Sequence, residues 1–187
     1  MSDTYYRLEI LPESNALDLY KSIENRSNDN AGFDLYVAET CETQAGKVSL
    51  LNLGCRARML KCYPDSMVLE EEVAFWLAPR SSIWKSGVVQ ANSIGVIDKS
   101  YRGTLMGAVI PIYKPTGYWS NMSGSGTSGS YVWMNCDSKD TGNPIIERGQ
   151  RLFQIVAPDM GHIKEVRIIK MLPDTIRGEG GFGSSGR

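Results

Sequence analysis

The sequence predicts an all-β protein, a sandwich or barrel of short strands. Two observations carry this. Stretches rich in β-branched and aromatic residues recur along the chain, each bounded by Gly, Pro, Asp or Asn, as strands and their turns are written. Glycine is abundant, at 19 of 187 residues, and turn signals spaced roughly 8–12 residues apart belong to sandwiches and barrels.

The elements follow in chain order. One helix is expected, over about 14–25, with Ser14 as its cap and Leu17, Tyr20 and Ile23 about one turn apart. Strands are expected at 48–53 (VSLLNL), 67–77 (MVLEEEVAFWL), 104–113 (TLMGAVIPIY), 152–157 (LFQIVA) and 163–172 (IKEVRIIKML). Residues 116–143 form an excursion whose Gly/Ser core, 123–130, is flanked by Trp119, Tyr131 and Trp133. Such a core solvates readily, so the aromatic flanks imply that its base rests on something. Gly178 to Arg187 is a second Gly/Ser-rich segment, within a tail of about 174–187. The length suits one domain, 1–187, carrying one insertion and a flexible tail.

Composition narrows the function. Hydrophobic residues make up 42% and charged residues 22%, the balance of an ordinary globular chain. With 20 Lys plus Arg against 21 Asp plus Glu, the chain has no surplus positive charge for coating nucleic acid or an anionic membrane. No apolar run is long enough to span a bilayer. The first residues carry neither a basic nor an apolar leader region, so an intracellular address, cytoplasmic or nuclear, is expected rather than secretion. Cys41, Cys55, Cys62 and Cys136 include no CxxC pair, and His162 is the single histidine. Free thiols, not a zinc site, are the reading. His162 is given no role.

The candidate chemistry lies elsewhere. P-loop, HExxH and GxSxG motifs are absent. GxGxxG occurs at 124–129 and 178–183, but neither copy opens a helix after a strand, as dinucleotide binding requires. The second copy has Arg177 before it, Phe182 within it and Ser184 and Ser185 after it. Glycine backbone can approach phosphates, Arg adds a planar double donor, and Phe offers a stacking face. Asp98 sits in GVIDKSYRGTL (95–105), a hairpin or pocket wall. In Pro79-Arg80-Ser81-Ser82, a cation stands beside two hydroxyls. Asp34, in AGFDLY, is costly to turn inward unless paired.

Together, in order, these stretches resemble the five motifs of the homotrimeric deoxyuridine triphosphatases (dUTPases). They are 31–35 (AGFDL), 79–82 (PRSS), 95–103 (GVID through YRG), 149–154 (GQRLFQ) and 177–184 (RGEGGFGS). The resemblance implies a distorted jelly-roll β-barrel of the β-clip type. It implies a trimer with shared sites that splits dUTP into dUMP and pyrophosphate, which limits uracil in DNA and supplies the thymidylate precursor. Asp98 matches the carboxylate that activates water. Mg2+ would be held by the substrate phosphates rather than directly by the protein, with Asp34 behind it. Tyr101 would exclude a ribose 2′-hydroxyl. Uracil would be read by the 92–98 hairpin, with Asn92, Val96 and Ile97, and Met106 would line the pocket. Arg80, Ser81, Ser82 and Gln154 would contact phosphates. Arg177, Gly183, Ser184 and Ser185 would hold them from the tail of a neighbouring subunit, with Phe182 over the base.

Four departures stand out. Ser82 replaces a usual Gly, and Ser100 and Gln150 replace usual acidic residues. Phe153 replaces a usual Ala. Two alternatives use the same scaffold. A dCTP deaminase would need a Glu just after the hairpin, but 104–113 has no acidic residue. A non-catalytic module would use 116–143 to recruit a protein partner.

Overall fold

The computed structural model describes residues 4–21, 30–64, 69–112 and 143–180. Thirteen strands appear among them, and the only helical pieces are short 3-10 turns. The all-β expectation holds.

The longest strands are β1 (Tyr5–Pro12) and β5 (Cys55–Cys62). They pair antiparallel along their whole length, because both alternate apolar and polar side chains in matching register. β13 (Ile163–Ile168) joins β1 in parallel, and β6 (Glu70–Val73) extends the other edge. Glu9 of β1 is only 6% exposed, and ion pairs from Arg7 at 3.2 Å and Arg58 at 2.7 Å compensate its burial.

Two further sheets carry the site. β2 (Gly32–Leu35), β12 (Phe153–Val156), β7 (Phe75–Pro79) and β9 (Gly95–Ile97) lie side by side in that order. β4 (Ser49–Asn52), β10 (Met106–Pro111) and β8 (Val88–Gln90) form the other. A short pair, β3 (Cys41–Glu42) with β11 (Ile145–Ile146), completes the set. Leu8, Ile10, Leu35, Leu51, Leu53, Met59, Phe153 and Ile155 meet in one buried cluster. Phe153, where the resemblance has Ala, finds room because Gly107 faces it. A Cβ at Gly107 would come within 2.2 Å of the Phe153 ring.

The sequence reading needs two corrections. The helix over 14–25 is not formed across its described part. Ser14–Ala16 makes one 3-10 turn, with i→i+3 bonds to Ala16 and Leu19. Residues 22–25 lie outside the described residues. Ser14 caps nothing. The spacing that suggested a helix serves instead to anchor a turn: the Tyr20 hydroxyl donates to the Leu53 carbonyl at 2.5 Å, and Ala16 packs over Gly54. Such tertiary anchors outweigh a short helical stripe. The expected strand 67–77 is two strands, β6 and β7, because the chain changes sheets at Ala74. The other expected strands appear with trimmed ends.

The excursion 116–143 falls almost wholly outside the described residues, as do Cys136, Trp119, Tyr131 and Trp133. Cys41, Cys55 and Cys62 are free thiols. Burial pushes the Cys55 thiol up to about 12.

Candidate active site

One cluster of expected residues is built by strand register. Asp34 on β2 lies directly across from Gln154 on β12. β7 flanks β12 on its other side and ends at Pro79, which delivers Arg80 to the end of the same ladder. Arg80 Nε approaches Asp34 Oδ1 at 2.9 Å, and Arg80 Nη1 donates to the Arg151 carbonyl at 3.2 Å. Arg151 Nη1 reaches Asp34 Oδ2 at 3.3 Å, and Gln154 Nε2 donates to the Pro79 carbonyl at 3.3 Å. A side chain at Gly32 would displace the Gln154 amide, since a Cβ there would sit 2.1 Å from Gln154 Oε1. Ser81 and Ser82 follow in the turn that leads to the 3-10 piece Ile83–Ser86. The pairing that Asp34 required is therefore present. Asp34 and Arg80 keep side-chain exposures of 27% and 31%, so a solute can reach both.

A second cluster is built by a turn. β9 ends at Ile97 and Asp98 follows, 52% exposed. The Tyr101 N–H donates to the Asp98 carbonyl at 3.0 Å and closes the turn. The Tyr101 hydroxyl donates to the Thr104 carbonyl at 2.9 Å. Burial raises the phenol above its ordinary pKa, and the nearby Arg177 opposes that shift. Gly103 is required, because a Cβ would lie 2.4 Å from the Tyr101 hydroxyl oxygen. Arg177 pairs with Asp98 through Nη1 and lies over the Tyr101 ring, 5.7 Å from its centre.

Arg102 holds this cluster from beneath. It is 6% exposed and donates to the carbonyls of Lys99 (2.8 Å), Tyr101 (3.0 Å) and Pro173 (2.8 Å). Its Nη2 also lies 2.6 Å from Glu72 Oε1, close enough for an ion pair but out of line for a hydrogen bond.

The expected base-reading hairpin, 92–98, bridges two sheets. β8 pairs with β10, whereas β9 pairs with β7. Among the described residues the facing edges of β8 and β9 share no ladder. Gln90 Nε2 donates to Asn92 Oδ1 at 2.9 Å across the open end. Val96 is 60% exposed on β9, and half-buried Met106 lies across from Asn52 on β4.

The two clusters do not meet within one chain. Ile97 is opposite Phe75, so Asp98 lies at the start of β7 and Arg80 just past its end. At strand rise that separates them by ~20 Å. Arg80 is also drawn toward Asp34 on β2, across β12 and away from β9. Phe182, Gly183, Ser184 and Ser185 lie outside the described residues. Arg151 and Arg102 stand within the motif runs, but the sequence assigns neither a role. The signal for each is a cation inside a motif run, and neither contact follows from sequence spacing.

The residues also fit a phosphate-borne cation. Among the described residues no three His, Cys, Asp or Glu side chains gather around a point. A carboxylate offers about four lone-pair sites, and the two guanidiniums engage one site on each Asp34 oxygen. The remainder can accept from metal-bound water.

A family model described as dUTPase matches residues 19–112, just over half of the chain. The deoxyuridine 5'-triphosphate nucleotidohydrolase of Streptomyces avermitilis is 28% identical over 158 residues, covering 84% of this chain and 69% of that protein. The one from Clostridium tetani is 26% identical over 189 residues, covering 100% of each. The crystal structure of dUTPase from Streptococcus mutans has 24% identity and a TM-score of 0.44, covering 71% of this chain and 80% of that one.

Proposed function

The chain belongs to the dUTPase family, and on that premise we propose that it hydrolyses dUTP to dUMP and pyrophosphate. The observation that carries the reading is the pair of solvent-open polar clusters. Asp34, Arg80 and Gln154 form one, and Asp98, Tyr101 and Arg177 form the other. Every family motif contributes to one of them.

Asp98 is the general base. It takes a proton from water as the water oxygen bonds to the α-phosphorus. The bond from that phosphorus to the bridging oxygen breaks, and pyrophosphate leaves with the electron pair. Asp98 then returns the proton to solvent. Charge on the phosphates is the larger obstacle. Arg80, Ser81, Ser82 and Gln154 contact phosphate oxygens, as do Arg177, Gly183, Ser184 and Ser185. Mg2+ carried by the triphosphate neutralises part of that charge when bound. Asp34 keeps Arg80 in place and would accept a hydrogen bond from water carried by that ion.

Tyr101 packs under the sugar and leaves no space for a 2′-hydroxyl. Asn92, Val96 and Ile97 read uracil, largely through backbone groups, and Met106 lines the pocket. The edges of β8 and β9, unpaired among the described residues, support this reading, because they offer donors and acceptors that a wrong base would leave unsatisfied. Phe182 stacks over the base.

The two clusters stand ~20 Å apart in one chain, so a complete site takes them from different copies. This supports a homotrimer with shared sites. We assign 1–187 to one domain with an insertion at 116–143 and a tail at 174–187. The dUTP pool lies inside the cell, so the address is cytoplasmic or nuclear. The dCTP deaminase reading is not favoured: the family and the named relatives are of the dUTP-hydrolysing kind.

The test is pyrophosphate release from dUTP, dCTP, dTTP and UTP, each with Mg2+ and with excess chelator. Release from dUTP alone, abolished by chelator, is expected. Ammonia release from dCTP, or no turnover by a folded trimer, would overturn the reading.

A further inference from the structure

The hydroxyl end of Tyr101 has a support of its own, separate from the bonds that hold Asp98. The Tyr101 hydroxyl donates to the Thr104 carbonyl at 2.9 Å. The Thr104 hydroxyl in turn donates to Glu13 Oε1, since an ionised carboxylate only accepts. Glu13 Oε2 accepts from Asn52 Nδ2 at 3.3 Å. The Asn52 amide is oriented by its other end, where Oδ1 accepts from the Gly54 N–H at 2.7 Å. The Glu13 main chain is fixed as well. It directly follows β1, and its N–H donates to the Gly54 carbonyl at 2.8 Å, next to the Pro12–Cys55 pair that ends the β1–β5 ladder. Glu13 and Thr104 are both half-buried. Glu13 also borders an open cleft with Asn52 and Arg56, which keeps its charge within reach of water. None of Glu13, Asn52 and Thr104 takes part in the proposed hydrolysis.

From this chain of bonds we infer that Glu13 is a positioning residue for Tyr101, and that it sharpens rejection of ribonucleotides through Thr104. The inference rests on the dUTP reading above, in which Tyr101 lies under the sugar. A ring excludes a 2′-hydroxyl only if it cannot swing aside. Tyr101 lies close over Gly103, which has no side chain to brace it. Its hydroxyl end depends on where the Thr104 carbonyl stands. The peptide that carries this carbonyl is held on its other edge, where the Leu105 N–H donates to the Cys55 carbonyl at 2.9 Å. One bond leaves that peptide free to pivot. The Thr104 hydroxyl, bound to Glu13, supplies the second fixed point. Glu13 thus extends the rigidity of the β1–β5 ladder to the sugar-facing ring. Without it, Thr104 turns, the bond to the phenol loosens, and the ring gives way to a ribose.

The test is the ratio of kcat/KM for dUTP to that for UTP, read as pyrophosphate release, with Tm as the folding control. Thr104→Val removes the hydroxyl at nearly equal size. It should lower the ratio about 5-fold, chiefly by raising turnover of UTP. Glu13→Ala should lower it similarly, and the double variant no further, because both remove one bond. Thr104→Ser restores the hydroxyl and should keep the wild-type ratio. In a Tyr101→Phe background, Thr104→Val should change the ratio no further. An unchanged ratio in folded Thr104→Val overturns the inference. So does an equal effect with and without the Tyr101 hydroxyl, or a parallel loss of turnover on both substrates, which would mark a merely structural role. If Glu13→Ala does not fold, Thr104→Val decides alone. No turnover of dUTP by the wild-type chain defeats the dUTP reading and this inference with it, whereas wild-type turnover with an unchanged ratio in the variants defeats the inference alone.

Discussion

The two ends of β7 are built in contrasting ways. At its far end, Asp34, Arg80 and Gln154 are positioned by the register of three hydrogen-bonded strands, each fixed by core residues such as Leu35, Leu77 and Ile155. At its near end, Asp98 and Tyr101 sit on a turn that owes its shape to Arg102 and the 173–180 segment. The first is a ladder that presents charge to a ligand. The second is a turn held by side-chain and main-chain bonds from outside it. On the proposed reading the difference suits their tasks: phosphate contacts would need fixed geometry, whereas a general base would need to stay open to solvent.

The largest expected effect falls on the turn. Asp98→Asn should lower kcat by about 10²–10⁴-fold, with dUTP binding and trimer mass retained. Steady-state kinetics beside binding of a non-hydrolysable analogue would show it. An equal loss of binding would mean that Asp98 positions substrate instead.

The ladder should respond more moderately and as a unit. Arg80→Lys loses the planar fork that spans Asp34 and the Arg151 carbonyl, and should cost about 10-fold in kcat/KM. Asp34→Asn should cost a similar amount. The double variant should cost clearly less than both together, because the residues share one interaction. Full additivity would break the picture of a single cluster.

Packing behind the ladder is the next probe. Gly107→Ala drives a methyl into the Phe153 ring and should destabilise the fold by about 1–3 kcal/mol, read as a shift in denaturant midpoint. In a Phe153→Ala background, itself about 3–5 kcal/mol less stable, the further cost of Gly107→Ala should shrink. If Gly107→Ala is neutral, the core near Gln154 is looser than the ladder requires.

A smaller effect is expected at Tyr101→Phe. It loses only the hydroxyl bond to Thr104, about 1 kcal/mol, and should mainly relax discrimination against UTP. Because burial raises the phenol pKa, Tyr101 stays protonated through neutral pH and should add no inflection to the rate profile there. The mildest effect lies away from both ends. The Gly161 N–H, with the Tyr6 hydroxyl, holds the Asp159 carboxyl below its ordinary pKa. A depressed acid stabilises the fold above the ordinary carboxylate range and loses that contribution as pH falls through its folded pKa. Tyr6→Phe should therefore weaken the acid-side fall in Tm slightly and leave the turnover profile unchanged.

The sequence made much of the ladder legible. Its strand at 152–157 was readable from β-branched and aromatic composition, and the motif residues Asp34, Arg80 and Gln154 do converge. The turn was readable only in part. Asp98 and Tyr101 stood in a recognisable run, but Arg102 read as a pocket wall, since burial and four separate partners leave no mark in local spacing. The break at Ala74 was invisible because both halves of 67–77 are strand-like, and only the change of pairing partner divides them. The helix at 14–25 failed for the opposite reason. Leu17 and Tyr20 have helical spacing, yet Tyr20 is committed to Leu53 across the core. Nor could spacing show that Asp98 and Arg80 lie at opposite ends of one strand, because that follows from the β7–β9 register.

That separation is the central claim, and mixing Asp98→Asn with Arg80→Ala subunits tests it most directly. Each variant alone should be close to inactive in pyrophosphate release from dUTP. Mixed and reassembled, they should regain about a quarter of wild-type turnover if, as proposed, the two halves come from different chains. Verified mixed trimers that stay inactive would contradict the account and return the whole site to a single chain.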